Sequence, residues 1–179
     1  MTTSEALEME LFGDEQMVAL GRAVGTALAP DRAGVVSLSG HLGAGKTTFV
    51  KGLAHALGVA DPRDVVSPTF LRVVAFEGAI RLVHVDAYRM RGADDLVELG
   101  LAEELAGGAV VAVEWPEIVE GGLPTDRLCV RIEHAGEGSR RVCVQAGGAT
   151  SAQWLARIAP IVGSGLPTRV PTDDARAST

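Results

Sequence analysis

The chain contains no asparagine at all. That removes the Asn-Lys-x-Asp motif with which regulatory GTPases read guanine, so adenine is the base to expect if a nucleotide binds. Lysine is nearly missing too: Lys46 and Lys51 are the only two, and almost all other positive charge is arginine. The net charge of −7 and pI near 5.1 leave no broad basic face for gripping a nucleic-acid backbone. Only two cysteines occur, Cys129 and Cys143, each inside an expected β-strand. They read as buried core thiols, too few for a zinc site and not a disulfide in a reducing compartment. The histidines at 41, 55, 84 and 134 show no ligand spacing. No apolar stretch approaches the ~20 residues that a membrane-spanning helix needs. Met1-Thr2-Thr3-Ser4-Glu5 lacks the basic and apolar regions of a secretory signal, which leads to the expectation of a cytoplasmic protein.

What is present is an apolar fraction of 47%, a mean hydropathy of +0.23 and a length of 179 residues, enough for one domain with a sizeable core. One segment carries the chemistry. Residues 40–47 read Gly-His-Leu-Gly-Ala-Gly-Lys-Thr, a complete G-x-x-x-x-G-K-T phosphate-binding loop. It follows the apolar run Val35 to Ser39 and precedes a helical pattern from Lys46 to Leu57 that stops at Gly58, the strand–loop–helix context the motif requires. Gly40, Gly43 and Gly45 can adopt dihedrals that turn backbone N–H groups around an anion, and the helix start adds its positive dipole end. Lys46 would sit between the β- and γ-phosphates, and the Thr47 hydroxyl would bind Mg²⁺.

Around this loop the pattern predicts a short first strand (9–12), then a helix from about Glu15 to Leu28 with Asp14 as its N-cap. A hairpin is expected from 70–76 and 80–85 about Glu77-Gly78-Ala79, and a helix from Asp94 to Leu105 interrupted near Gly100. The wholly apolar run 109–113 is the signature of a strand buried on both faces. A second antiparallel pair (128–133 and 141–145) and a last helix (150–161) follow. The stretch 163–179, rich in Gly, Pro, Ser, Thr and charge, reads as a disordered tail outside a single domain of residues 1–162. The fold class is α/β with a mixed parallel and antiparallel sheet.

Two expected strands end in acids, Asp86 and Glu114, placed where phosphoryl chemistry needs a group near Mg²⁺ and one to orient water. The plainer alternative is that each acid caps the following turn or pairs with an arginine. Thr69, in Ser67-Pro68-Thr69-Phe70, either reports on the γ-phosphate or merely starts a strand.

Gly-His-Leu-Gly-Ala-Gly-Lys-Thr-Thr-Phe (40–49), Ser-Pro-Thr-Phe (67–70), His-Val-Asp-Ala-Tyr-Arg (84–89), Glu-Leu-Gly (98–100) and Val-Glu-Trp-Pro-Glu (113–117) together resemble the TsaE family, also called YjeE, in order and spacing. The resemblance covers roughly residues 8 to 160. It implies a P-loop NTPase-type three-layer fold and a Mg²⁺-dependent ATPase that is slow alone. It also implies TsaB- and TsaD-type partners with which the chain serves threonylcarbamoylation of the adenosine beside the anticodon of tRNAs reading A-starting codons. In the family the transfer chemistry belongs to the TsaD-type partner, and ATP hydrolysis resets or licenses the complex. Carried over by motif, Thr47, Glu114 and Asp86 belong to the magnesium site, and Glu114 orients the attacking water. Gly43, Ala44, Gly45, Lys46, Thr47 and Thr48 cradle ATP, and Thr69 is the switch threonine. Asp14 or Glu15 and Arg140 are further nucleotide contacts. A P-loop small-molecule kinase is the alternative, although the acidic insertion between 86 and 114 is ill suited to an anionic acceptor.

Overall fold

The computed structural model describes residues 6–62, 65–68 and 72–166. Seven strands form one sheet: β1 (Ala6–Phe12), β2 (Gly34–Ser39), β3 (Val73–Phe76), β4 (Leu82–Asp86), β5 (Val110–Glu114), β6 (Leu128–Gly136) and β7 (Ser139–Ala146). Their spatial order is β1-β7-β6-β2-β5-β4-β3. The central four, β6, β2, β5 and β4, run parallel, while β7 and β3 pair antiparallel beside them and β1 pairs antiparallel with β7. The mixed sheet expected from sequence is therefore present.

Helices cover both faces. On one side α1 (Gly13–Leu28), α2 (Lys46–Ala56) and α5 (Ala149–Gly163) enclose the main core around Leu20, Val24, Phe49, Leu53, Val130 and Ile158. Each such buried side chain contributes roughly 1.5–3 kcal/mol relative to exposure. On the other side α3 (Asp94–Glu98) and α4 (Leu101–Ala106) cover Val35, Val83, Val111 and Val113. β5 is buried at all five positions, four of them apolar as expected for a strand covered on both faces and the fifth the carboxylate Glu114. The break between α3 and α4 falls at Gly100, whose φ of 69° permits the left-handed turn.

α1 and α2 cross with their backbones in near contact. A Cβ on Gly52 would lie 2.0 Å from the Val18 carbonyl oxygen, and one on Gly21 would lie 2.1 Å from that of Phe49. The crossing fixes where α2 starts, and α2 starts at the site.

Several expectations need correction. α1 begins at Gly13, directly after β1, and Asp14 lies inside its first turn and makes no cap bond. The Gln16 side chain accepts the Phe12 N–H instead, because the strand runs straight into the helix. β1 is longer than expected and pairs with β7 over seven residues. The two cysteines are half-buried, not core thiols. Alternation along β6 and β7 sends Val130, Ile132, Val142 and Val144 to the core, and sends Cys129 and Cys143 to the open face with exposed Arg131, Glu133 and Arg141. α5 extends to Gly163, and Leu166 beyond it still packs against the core.

Candidate functional site

The glycine-rich loop leaves the C-terminal end of β2 and enters α2. All three glycines singled out from sequence have positive φ: 147° at Gly40, 76° at Gly43 and 110° at Gly45. A side chain at such dihedrals would be strained, and at Gly40 a Cβ would also lie 2.3 Å from the Ile132 carbonyl oxygen. The loop is braced by Arg140, whose Nε donates to the Ala44 carbonyl at 3.1 Å. A pocket of about 300 Å³ opens over it, lined by residues 42–48, Ser67, Asp86, Tyr88, Glu114 and Trp115.

Parallel pairing sets the two acids side by side, with Asp86 opposite Glu114 in register. Thr47, at the first turn of α2, donates from Oγ1 to Glu114 Oε1 at 2.8 Å. The Ser67 hydroxyl donates to Asp86 Oδ2 at 2.9 Å. Asp86 Oδ1 accepts the Tyr88 N–H at 3.0 Å, capping the 3-10 turn Ala87–Arg89. The plain capping role and a place in the pocket thus coexist in one residue.

Lys46 is buried and ties down the loop it belongs to. Its Nζ donates to the carbonyls of Gly40 at 2.7 Å and His41 at 3.0 Å. The same Nζ lies 4.0 Å from the Trp115 ring centroid, a cation–π contact, and Tyr88 packs against that ring at 5.1 Å. Burial pushes the Lys46 ammonium below its ordinary pKa, against the opposing pull of Glu114, Asp86 and Glu117. Trp115 holds a left-handed φ of 58°, where β5 ends and Pro116 turns the chain. It thus lies over the lysine at the pocket.

The site brings together one cation, two carboxylates and a ring of backbone amides with hydroxyls. Such a set suits a polyanion accompanied by a hard divalent cation, since two adjacent carboxylates would otherwise repel the anion. Among the described residues no three His, Cys, Asp or Glu side chains cluster as a ready-made metal cage. Magnesium, which keeps several waters and substrate oxygens as ligands, needs none.

Of the residues expected from sequence, Gly43 to Thr48, Asp86 and Glu114 meet at this pocket. Glu15 lies exposed in the first turn of α1 and does not line it. Arg140 reaches the loop backbone without lining the pocket. Thr69 falls outside the described residues. His84 and Ser67 were given no role from sequence, and Tyr88 and Trp115, which read as a contact surface or core, were not expected to line the pocket. All four lie in the segments that carry the family resemblance, which is the signal that could have drawn attention to them.

A family model described as threonylcarbamoyl adenosine biosynthesis protein TsaE matches residues 12–142. Three relatives carry the name tRNA threonylcarbamoyladenosine biosynthesis protein TsaE. That of Bacillus subtilis (strain 168) is 44% identical over 115 residues, 64% of this chain and 70% of the relative. That of Streptomyces coelicolor is 46% identical over 121 residues, 65% of this chain and 78% of the relative. That of Treponema pallidum is 36% identical over 124 residues, 69% of this chain and 89% of the relative. The crystal structure of Bacillus subtilis YdiB matches with a TM-score of 0.73 and 28% identity, covering 89% of this chain and 98% of that one.

Proposed function

The chain belongs to the TsaE family of tRNA threonylcarbamoyladenosine biosynthesis, and from that premise we propose that it is the Mg²⁺-dependent ATPase of the modifying assembly. The observation that carries the reading is the Thr47 to Glu114 hydrogen bond of 2.8 Å at the floor of the glycine-loop pocket, with Asp86 alongside. A hydroxyl at the start of the loop helix joined to a strand-end carboxylate is what a phosphoryl-transfer site requires. The loop amides and Lys46 bind the triphosphate, and Thr47, Glu114 and Asp86 would hold the ion. When bound, Mg²⁺ neutralises charge on the β- and γ-phosphates. Glu114 orients a water toward the γ-phosphorus, and hydrolysis releases ADP and phosphate. Thr69 is retained as the switch residue, with Glu15 and Arg140 as outer nucleotide contacts and residues 1–162 as the ATPase domain.

Among the described residues no arginine lines this open pocket, and a transition-state arginine is worth ~10³–10⁵ in rate where one is supplied. Slow turnover by the chain alone follows. In this reading TsaB- and TsaD-type partners raise the rate, tRNA is reached only through them, and hydrolysis resets or licenses the complex between rounds.

The test follows the γ-phosphate of labelled Mg-ATP with the pure chain, with a deproteinised metabolite extract and with the two partners. Slow release of free phosphate, indifferent to extract and accelerated by partners, is the expected result. Glu114→Gln should lower kcat by ~10²-fold or more with little change in ATP affinity. Transfer of label to a small molecule in the extract would instead make the protein a kinase.

A further inference from the structure

His84 lies at the centre of β4 and is fully buried. The parallel register with β5 places it opposite Ala112, two positions before the Asp86–Glu114 pair. Its Nε2 lies 2.9 Å from Glu114 Oε1, the same oxygen that accepts from Thr47. Its Nδ1 is buried with no hydrogen-bond partner, and among the described residues it is the only buried side-chain nitrogen or oxygen in that condition. A ring nitrogen left unpaired in a core is costly, and an apolar side chain of similar size would avoid that cost. The bond to Glu114 is therefore the sole polar return for having an imidazole here.

We propose that His84 is a positioning residue for Glu114: it donates from Nε2 to Oε1 and so leaves Oε2 to face the attacking water. The inference rests on the reading of Glu114 given above. Thr47 and His84 both hold Oε1, but they differ in what else they do. Thr47 belongs to the phosphate loop, and its hydroxyl is required there when nucleotide is bound. His84 is anchored in the sheet and has no competing partner, so its hold on the carboxylate persists through the cycle. Residues that orient a ligand or base through its second atom commonly matter ~10–100-fold when replaced.

The test compares His84→Leu, which keeps bulk without a donor, and His84→Gln, which keeps an N–H near the position of Nε2. Phosphate release and affinity for Mg-bound mant-ATP are measured for each, alone and combined with Glu114→Gln. The expected result is a ~10–100-fold fall in kcat for H84L with mant-ATP affinity unchanged within about threefold. H84Q should recover most of the rate, and neither substitution should lower kcat further once Glu114 is Gln. The proposal is overturned if H84L loses affinity and rate together, if H84Q rescues nothing, or if the loss persists in the Glu114→Gln background. Should H84L fail to fold, H84Q decides. A rate near wild type that collapses onto that of E114Q in the double variant sustains the role, and a single-variant loss as deep as that of E114Q overturns it. If E114Q and wild type release phosphate equally, Glu114 has been misread and the role of His84 falls with it. That outcome is recognised without any His84 variant.

Discussion

At the scale of single residues, the site is held by groups each doing two things. Lys46 clamps its own loop through two carbonyls while Trp115 covers it, which leaves one of its three N–H donors for a phosphate oxygen. Asp86 caps a turn and lines the pocket. Away from the site, Asp126 shows the same economy of polar groups. Burial would raise its pKa, but donation from the Ser151 and Thr150 backbone N–H groups outweighs that and holds it down to about 2. Because the folded value lies below the 3.8 of an ordinary aspartate, Asp126 stabilises fully above about pH 4, and that share is lost as pH falls toward 2. Asp126→Ala should cost about 1–2 kcal/mol at neutral pH, as for loss of a helix cap. Urea midpoints of the two proteins should converge near pH 2; a gap that stayed constant with pH would show that the carboxylate is not the source.

At the scale of elements, the α1–α2 crossing decides the position of the loop. Gly52 replaced by Ala would gain about 1 kcal/mol of helix propensity. The new methyl would nevertheless meet the backbone of Val18 at 2.0 Å, and a backbone carbonyl cannot swing aside as a side-chain tip can. A net destabilisation of about 1–3 kcal/mol is expected, as in overpacked cores. Since α2 opens at Lys46 and Thr47, the shift should also weaken mant-ATP affinity. Equal or greater stability of Gly52→Ala in a denaturant titration would refute the close crossing. Nothing local in the sequence shows that the glycines at 21 and 52 face one another.

At the scale of the molecule, charge bears on what the chain can do alone. The net charge is −7, and on the open sheet face Glu8, Glu10 and Glu133 mix with Arg131 and Arg141, so among the described residues that face is not a coherent basic surface. Alone at about 0.15 M salt, where screening acts over about 8 Å, the chain should not retain tRNA in a gel-shift assay. Tight, salt-sensitive binding by the isolated chain would contradict the indirect role assigned to it. Among the described residues no helix is long and apolar enough to cross a membrane.

The amino-acid sequence by itself determined the glycine loop, the helix it opens, the buried strand expected at 109–113 and the two strand-end acids. Those features are local: dihedral freedom at Gly40, Gly43 and Gly45 and unbroken apolar runs need no distant partner to be read. Single boundaries were harder, as with Asp14, because whether a residue caps a helix depends on how the preceding strand enters it. Only the tertiary structure decided that His84 meets Glu114 across 30 residues of chain, that Asp126 caps α5 from 25 residues away, and that Trp115 covers Lys46. It also decided that the cysteines face outward, since strand alternation fixes which residues share a face but not which face a helix will cover. The physical reason is the same in each case. Spacing along the chain carries periodicity, whereas a bond between distant residues exists only once sheet order and register bring them within about 3 Å.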